Sequence, residues 1–164
     1  FTWMPTLLLR QGHSLVHSMG YTLVMTLAQV PGYAASAWLV ERWGRRPTLA
    51  AFLLASGVAA VVFGLQSGPA GIMVAGSALS FFNLGAWGAL YAIGPEIYPT
   101  ALRGAGTGAA SAVGRVAGIV APLVVPLLLR GGHALVFAVF ALSFVIAAAS
   151  ALLLPERRSL DMVE

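Results

Sequence analysis

Five runs of apolar residues, each about 20 residues long, most constrain what this chain can fold into. A helix that crosses the hydrocarbon core of a bilayer needs about 20 mostly apolar residues. The runs cover approximately residues 20–40, 47–65, 70–93, 104–129 and 134–154. Residues 1–9 are apolar but too few to cross, so they are predicted to be the end of a further span. The sequence therefore predicts an all-α membrane fold.

The charge content agrees with a membrane protein. Only 9% of the 164 residues are charged and 59% are hydrophobic, whereas soluble domains carry about 25% charged residues. There is no cysteine, which excludes a disulfide framework and a cysteine-based metal site, and we expect no cofactor. The net charge of +4 is the difference between nine arginines and five acidic residues, and there is no lysine. With so few charges, the positive balance indicates how the chain is oriented in a lipid bilayer and does not indicate nucleic-acid binding.

The arginines are distributed unevenly between alternate turns. One set of turns, together with the tail at residues 155–164, holds Arg42, Arg45, Arg46, Arg103, Arg157 and Arg158. The opposite turns hold only Arg10 and Arg130. The positive-inside rule predicts that the first set, and with it the C-terminus, is cytoplasmic.

A polar segment at residues 94–108 separates the third and fourth of these runs. It contains Glu96 and Arg103, seven positions apart, together with Pro95 and Pro99. Each proline lacks an N–H and clashes with the preceding turn, so an unbroken helix is excluded. We expect one helix to end near Ile93 and the next to begin near Thr100 or Arg103.

Three segments resemble motifs of the major facilitator superfamily. Residues 41–46, E-R-W-G-R-R, resemble its D-R-x-G-R-R turn, and residues 94–104 resemble the P-E-x-x-P-T-x-x-R loop of sugar porters and related metabolite carriers. Residues 154–156, L-P-E, resemble the L-P-E-T that follows helix twelve. The opening residues 1–6 are similar to the end of helix seven in the bacterial branch that carries niacin-type and aromatic-acid substrates.

The resemblance implies the C-terminal half of a twelve-helix transporter, comprising the end of helix seven and helices eight to twelve. The missing N-terminal half would then be a partner. The chain departs from the motifs in having Glu41 for Asp, Ala37 for Gly, and Arg157-Arg158 for Thr. Together with a composition rich in Ala, Gly and Arg but lacking Lys, the resemblance predicts a multi-pass protein of a bacterial inner membrane.

Charged residues of the two cytoplasmic motifs are candidates for a gate. Alternating access requires the two halves of a transporter to lock and unlock at the cytoplasmic face. We expect an ion-pair network there that stabilises the outward-facing state. The candidate residues are Glu41, Arg42, Arg45, Glu96 and Arg103. The alternative is that these are solvated orientation markers, each pair contributing at most about 1 kcal/mol.

The third apolar run carries the best candidate substrate face. Asn83, Trp87 and Tyr91 recur every four residues and therefore lie on one side of a helix. An amide flanked by aromatic rings suits a ring-bearing or sugar-like ligand. The alternative is an aromatic packing stripe.

Two further polar residues lie inside predicted spans. Gln29 precedes the Pro31-Gly32 break, and its amide must face either a cavity or a neighbouring helix. Arg115 lies roughly 16 Å along its helix from Gly104. An intramembrane arginine suggests a functional site, here the binding of an anionic substrate. The alternatives are snorkelling to the interface and structural pairing with Glu96.

Small residues Gly106, Ala110, Gly114 and Gly118 recur at four-residue spacing. In membranes such stripes let two helices approach closely, so we expect this stripe to be a packing surface.

These features together predict secondary active transport of a small molecule, with an organic or aromatic acid favoured and a sugar as the alternative. Uniport and proton symport remain open, because no acidic residue lies in the middle of a span. The spans contain no Ser/His pair, paired-Asp motif or H-E-x-x-H, so we do not expect an enzyme. A non-transporting sensor or scaffold on the same fold is the alternative from another class.

Overall fold

The computed structural model describes residues 15–154, without the side chains of residues 15–18, 95, 96, 133 and 134. Over this range the chain forms six α-helices and one 3-10 turn, and no strand. The helices are α1 (Leu15–Leu27), α2 (Gln29–Trp43), α3 (Arg45–Leu65), α4 (Pro69–Ile97), α5 (Arg103–Leu129) and α6 (His133–Leu152), with the 3-10 turn at Thr100–Leu102. The opening motif and the tail lie outside the described residues.

The predicted number of spans is confirmed for the described residues. Five helical segments are long and apolar enough to cross a membrane: Met19–Trp43, Arg45–Leu65, Pro69–Gly94, Thr100–Leu129 and Leu135–Leu152. The first span combines α1 and α2. The chain is thus part of an all-α membrane fold, with each apolar run folded as one crossing.

The break within the first span lies at Ala28, three residues before Pro31. Pro31 has no N–H to offer the carbonyl of Leu27, so the helix is interrupted in the turn preceding the proline. The Ala28 N–H still donates to the Val24 carbonyl at 3.2 Å, which keeps the two segments continuous. The interruption is therefore local.

The E-R-W-G-R-R segment forms a tight turn between α2 and α3. Its Gly44 has φ 95°, in the region that favours glycine. The Thr48 hydroxyl donates to the Gly44 carbonyl at 2.7 Å and fixes the first turn of α3. One glycine thus reverses the chain at this end of the bundle.

The predicted end of α4 needs correction. The helix continues past Ile93 to Ile97 and contains Pro95 in its last turn. The next regular structure begins at Thr100, as expected. A proline is tolerated near the end of a helix when the preceding turn can bend to relieve the steric clash with the proline ring. Of the two prolines, only Pro99 therefore lies between the two helical segments.

Helix α3 lies at the centre of the bundle, where it packs against both α4 and α6. One buried cluster contains Phe63 of α3, Ile72 of α4 and Phe137 of α6, and the Phe63 and Phe137 ring centroids are 5.3 Å apart. A second cluster contains Leu49, Ile93 and Ala151, near the opposite ends of the same helices. These two clusters fix α3, α4 and α6 as one unit.

A close helix crossing in the described chain joins α2 and α4. A Cβ at Gly88 would lie 3.2 Å from the Tyr33 ring and 3.3 Å from Ser36 Oγ. Gly32, one turn before Ser36, touches the backbone of Phe81 in the same way. Small residues at four-residue spacing permit such an approach between membrane helices.

Helix α5 is packed quite differently. Val125 is the one residue of α5 that is buried. Gly114 and Gly118 of the predicted small-residue stripe have nothing within 4 Å of a Cβ position, while Gly106 lies under the Tyr98 ring. The contact at Gly106 is with a side chain between α4 and α5, so the expected close packing of the stripe against another helix is not seen at Gly106, Gly114 or Gly118.

Candidate functional site

Helices α3, α4, α5 and α6 surround a cavity of about 980 Å³. Its walls are mostly apolar, with contributions from Leu53 of α3, Val125 of α5 and Phe140 of α6. A largely apolar cavity with a few polar groups is typical of a small-molecule site, and its volume is at the upper end of the usual range of about 300–1,000 Å³.

Two of the predicted substrate residues line this cavity. Asn83 is half-buried and Trp87 is 46% exposed, and both belong to the wall formed by α4. Leu79, Ala86 and Leu90 complete this wall. The helical spacing that identified Asn83 and Trp87 in the sequence thus corresponds to one continuous surface.

Tyr91 lies beside the cavity and is not part of its lining. Its ring packs against Trp87, with centroids 5.4 Å apart and planes tilted by 40°. Tyr91 is 62% exposed. Tyr91 thus contacts a residue of the cavity wall without lining the cavity itself.

Arg115 lies on an exposed face of α5, outside the cavity. Together with Thr107 and Ser111 it lines a shallow groove of about 380 Å³. Gly118, three residues further along α5, belongs to the cavity lining. At 1.5 Å per residue, the two positions are separated by about 4.5 Å along the helix axis. The arginine and the aromatic wall are thus neighbouring features and not members of one cavity.

Gln29 is half-buried at the start of α2 and does not line the cavity. It is three residues before Gly32 and seven before Ser36, so all three share a helix face. Because Gly32 packs against Phe81, this face is turned toward α4. The position favours the inter-helix alternative for the Gln29 amide.

The predicted gate residues gather at one end of the bundle. Glu41 and Arg42 are exposed in the last turn of α2, Arg45 is half-buried at the start of α3, and Arg103 is exposed at the start of α5. Glu96 is in the last turn of α4, but its side chain is outside the described residues.

Arg42 has a local partner that the sequence analysis did not anticipate. Its guanidinium carbon lies 4.6 Å from the centroid of the Trp38 ring, one turn earlier on α2. Trp38 is 55% exposed. This cation–π contact holds Arg42 on the surface of α2.

Most of the cavity lining was not predicted from the sequence, and four of these residues matter for the chemistry of the walls. They are Gly118 and Pro122 on α5 and Ser143 and Ser150 on α6. The available signals were a proline pair four residues apart and serines seven residues apart within apolar runs. Among the described residues there is no group of three or more metal-ligating side chains.

Comparison with known proteins agrees with this architecture. The sequence profile of the family described as Sugar (and other) transporter matches residues 4–159. The chain is 55% identical over 112 residues to a niacin transporter of Acinetobacter baylyi, covering 68% of this chain and 26% of that protein. It is 42% identical over 156 residues to a putative niacin/nicotinamide transporter of Bacillus subtilis, covering 94% and 39%.

A more distant relative carries a different aromatic compound. The 3-(3-hydroxy-phenyl)propionate transporter of Escherichia coli is 30% identical over 161 residues, which cover 96% of this chain and 40% of that protein. The matched regions thus span well under half the length of these relatives.

Proposed function

The chain belongs to the Sugar (and other) transporter family of the major facilitator superfamily, within its niacin-type branch, and on this premise we propose that the whole protein transports a small aromatic acid by alternating access. The relatives are named as transporters of small metabolites, two of them of niacin-type compounds. A ring-bearing carboxylic acid is the substrate class that agrees both with the names of these relatives and with the polar groups of this chain.

The observation that carries the proposal is the arrangement of Asn83, Trp87 and Arg115. Asn83 and Trp87 form one wall of the cavity, and Arg115 lies about one helical turn outside it. The indole can pack against an aromatic ring while the amide hydrogen-bonds to a ring substituent. The guanidinium can bind a carboxylate through two parallel hydrogen bonds. An aromatic acid could contact both features.

Arg115 is suited to an anion because of where it lies. It is 12 residues into α5, or about 18 Å from the start of the helix. A charged side chain at such a depth is costly unless it is paired or faces water. In the whole protein we expect the Arg115 face of α5 to adjoin a water-filled substrate path between the two halves. The substrate carboxylate would then be its intermittent partner.

A sugar is the second candidate, favoured by the combination of an amide and an exposed indole on one wall. Sugars use this pair of side chains through hydrogen bonds and ring packing. A neutral sugar has no carboxylate, so its binding would not depend on Arg115. The two candidates therefore make opposite predictions for one substitution.

Other parts of the proposal concern the whole protein. We expect the missing N-terminal half to complete the substrate path and to provide any proton-carrying carboxylate. Glu41, Arg45, Glu96 and Arg103 would form the cytoplasmic gate in a bacterial inner membrane, with the C-terminus in the cytoplasm. The excess of arginine in this set of turns supports that orientation.

The test is thermal stabilisation of the full-length protein in detergent. Nicotinate and benzoate are compared with hexoses, using wild type, Arg115→Ala and the matched control Arg130→Ala. We expect the acids to raise the melting temperature of wild type and Arg130→Ala but not of Arg115→Ala. If a hexose stabilises both wild type and Arg115→Ala, and the acids stabilise neither, the substrate is a sugar and not an aromatic acid.

A further inference from the structure

The α6 wall of the cavity presents hydrogen-bond acceptors. The Ser143 hydroxyl donates to the Val139 carbonyl and the Ser150 hydroxyl donates to the Ile146 carbonyl, both at 2.9 Å. A serine hydroxyl has a single proton, and in both residues that proton is used within the helix. Both residues line the cavity. Toward a ligand they therefore offer oxygen lone pairs and no donor.

The α5 wall adds two backbone acceptors. Pro122 and Pro126 lie inside α5, and neither has an N–H for the carbonyl four residues earlier. The carbonyls of Gly118 and Pro122 are thereby released from their usual helical bonds, and both residues line the cavity. Gly118 has no side chain and has open space at its Cβ position. A ligand can therefore come close to the α5 backbone at this position.

The α4 wall is complementary to these two. Asn83 offers an amide with two N–H groups and one acceptor oxygen, and Trp87 offers an indole N–H. Within the part of the chain that the structure describes, no charged side chain lines the cavity. The described lining of the cavity therefore has neutral donors on one wall, acceptors on two other walls, and no cationic side chain.

We propose that this cavity selects a ring whose substituent is an uncharged hydrogen-bond donor, such as a carboxamide or a hydroxyl, directed at α5 and α6. A carboxylate directed at those walls would meet only lone pairs, with no positive charge to offset its loss of hydration. A carboxamide has nearly the same shape and places N–H groups there instead. The inference rests on the proposed function, because it assumes that the transported molecule enters this cavity.

The Arg115 groove and the cavity then recognise different groups of the ligand. A carboxylate belongs at Arg115, outside the cavity, and a neutral donor belongs inside it. An acid with a donor on its ring uses both features, while a ring amide needs only the cavity. Removal of Arg115 should therefore weaken the binding of acids. Removal of the acceptors should weaken the binding of ring compounds that carry a neutral hydrogen-bond donor.

The experiment compares three ligands that differ at one group. Nicotinamide, 3-acetylpyridine and nicotinate have the same ring, with an NH₂, a methyl or an anionic oxygen attached to the carbonyl. Their dissociation constants are measured by calorimetry on the full-length protein in lipid nanodiscs. We expect nicotinamide to bind about three- to tenfold more tightly than 3-acetylpyridine, as for one or two hydrogen bonds.

Two variants remove the acceptors in different ways. Ser143→Ala deletes a hydroxyl at a partly exposed position, and Pro122→Ala restores an N–H that can bond the Gly118 carbonyl. Each should reduce the preference for nicotinamide over 3-acetylpyridine toward unity. Ser56→Ala is the matched control, since its hydroxyl makes the same type of bond, to the Phe52 carbonyl at 2.8 Å, but does not line the cavity. It should leave the preference unchanged.

The possible failures can be distinguished. If nicotinamide and 3-acetylpyridine bind equally well to wild type, or if the preference survives in both acceptor variants, the inference is wrong. The proposed function still stands in that case, provided that nicotinate binds and that Arg115→Ala abolishes its binding. If no ring compound binds to wild type, both the proposed function and the inference are wrong.

Discussion

Gly32 of α2 lies directly against the backbone of Phe81 in α4, and a methyl group at Gly32 would overlap the Phe81 carbonyl oxygen. The carbonyl carbon of Phe81 would be only 3.0 Å from that methyl. Backbone atoms cannot move aside as a flexible side chain can, so the contact requires glycine. The relationship sets how closely α2 approaches the helix that carries Asn83 and Trp87.

Gly32→Ala should therefore destabilise the protein. Overpacking of a close contact costs about 1–3 kcal/mol. The measurement is the melting temperature of the full-length protein in detergent. Gly20→Ala is the control, because Gly20 lies within α1 and has nothing within 4 Å of its Cβ position. It should melt at the wild-type temperature or above it, since alanine favours a helix. Equal melting of the two variants would show that the Gly32 contact is not tight.

Arg42 and Arg45 should differ in their effect on transport. Arg42 is exposed and held by Trp38, a contact worth about 0.5–1 kcal/mol at such a site. Arg45 is half-buried at the start of α3. We expect Arg45→Gln to reduce uptake about tenfold, equivalent to about 1.4 kcal/mol. Arg42→Gln should retain most of the activity. Equal losses in uptake, normalised to protein in the membrane, would place both arginines in the gate.

Glu96→Gln tests the other side of the same gate. Neutralising this carboxylate should reduce transport about tenfold if it contributes about 1.4 kcal/mol to the outward-facing state. Insertion into the membrane should be unchanged, because the substitution keeps the shape of the side chain. Uptake into whole cells is compared with Glu164→Gln, which removes one negative charge from the tail. Wild-type uptake by Glu96→Gln would rule out an essential gate contact.

Arg115→Lys separates charge from geometry. A guanidinium binds a carboxylate through a planar, two-bond contact that an ammonium cannot reproduce. We therefore expect Arg115→Lys to bind nicotinate more weakly than wild type, although the positive charge is kept. Affinity for nicotinamide should be unchanged, because Arg115 is outside the cavity. Wild-type affinity for nicotinate in this variant would mean that a point charge is sufficient.

The sequence predicted the spans well because hydropathy is a local property. Each crossing helix is recognised by about 20 consecutive apolar residues, and its contacts with other helices need not be known. The errors arose where two local rules compete. Pro95 was predicted to lie beyond the end of α4, but the last helical turn accommodates it. Pro31 breaks its helix at Ala28, one turn earlier than the proline itself.

The candidate site was only partly predictable. Asn83 and Trp87 were found because their spacing places them on one face, and that face does line a cavity. Tyr91 has the same spacing but lies outside the lining. The small-residue stripe on α5 resembled a packing surface, whereas the tight crossing in the described chain uses Gly32 and Gly88. Spacing identifies a face, but it does not identify what the face contacts.

By itself, the sequence determined which stretches of the described chain form helices long and apolar enough to cross a membrane, because hydropathy is a sum over consecutive positions. The tertiary structure decided that Asn83 and Ser143 line the same cavity while Arg115 lies outside it. Those relations depend on how each helix is rotated about its axis. That rotation is set by contacts between distant residues, such as the contact of Gly32 with Phe81.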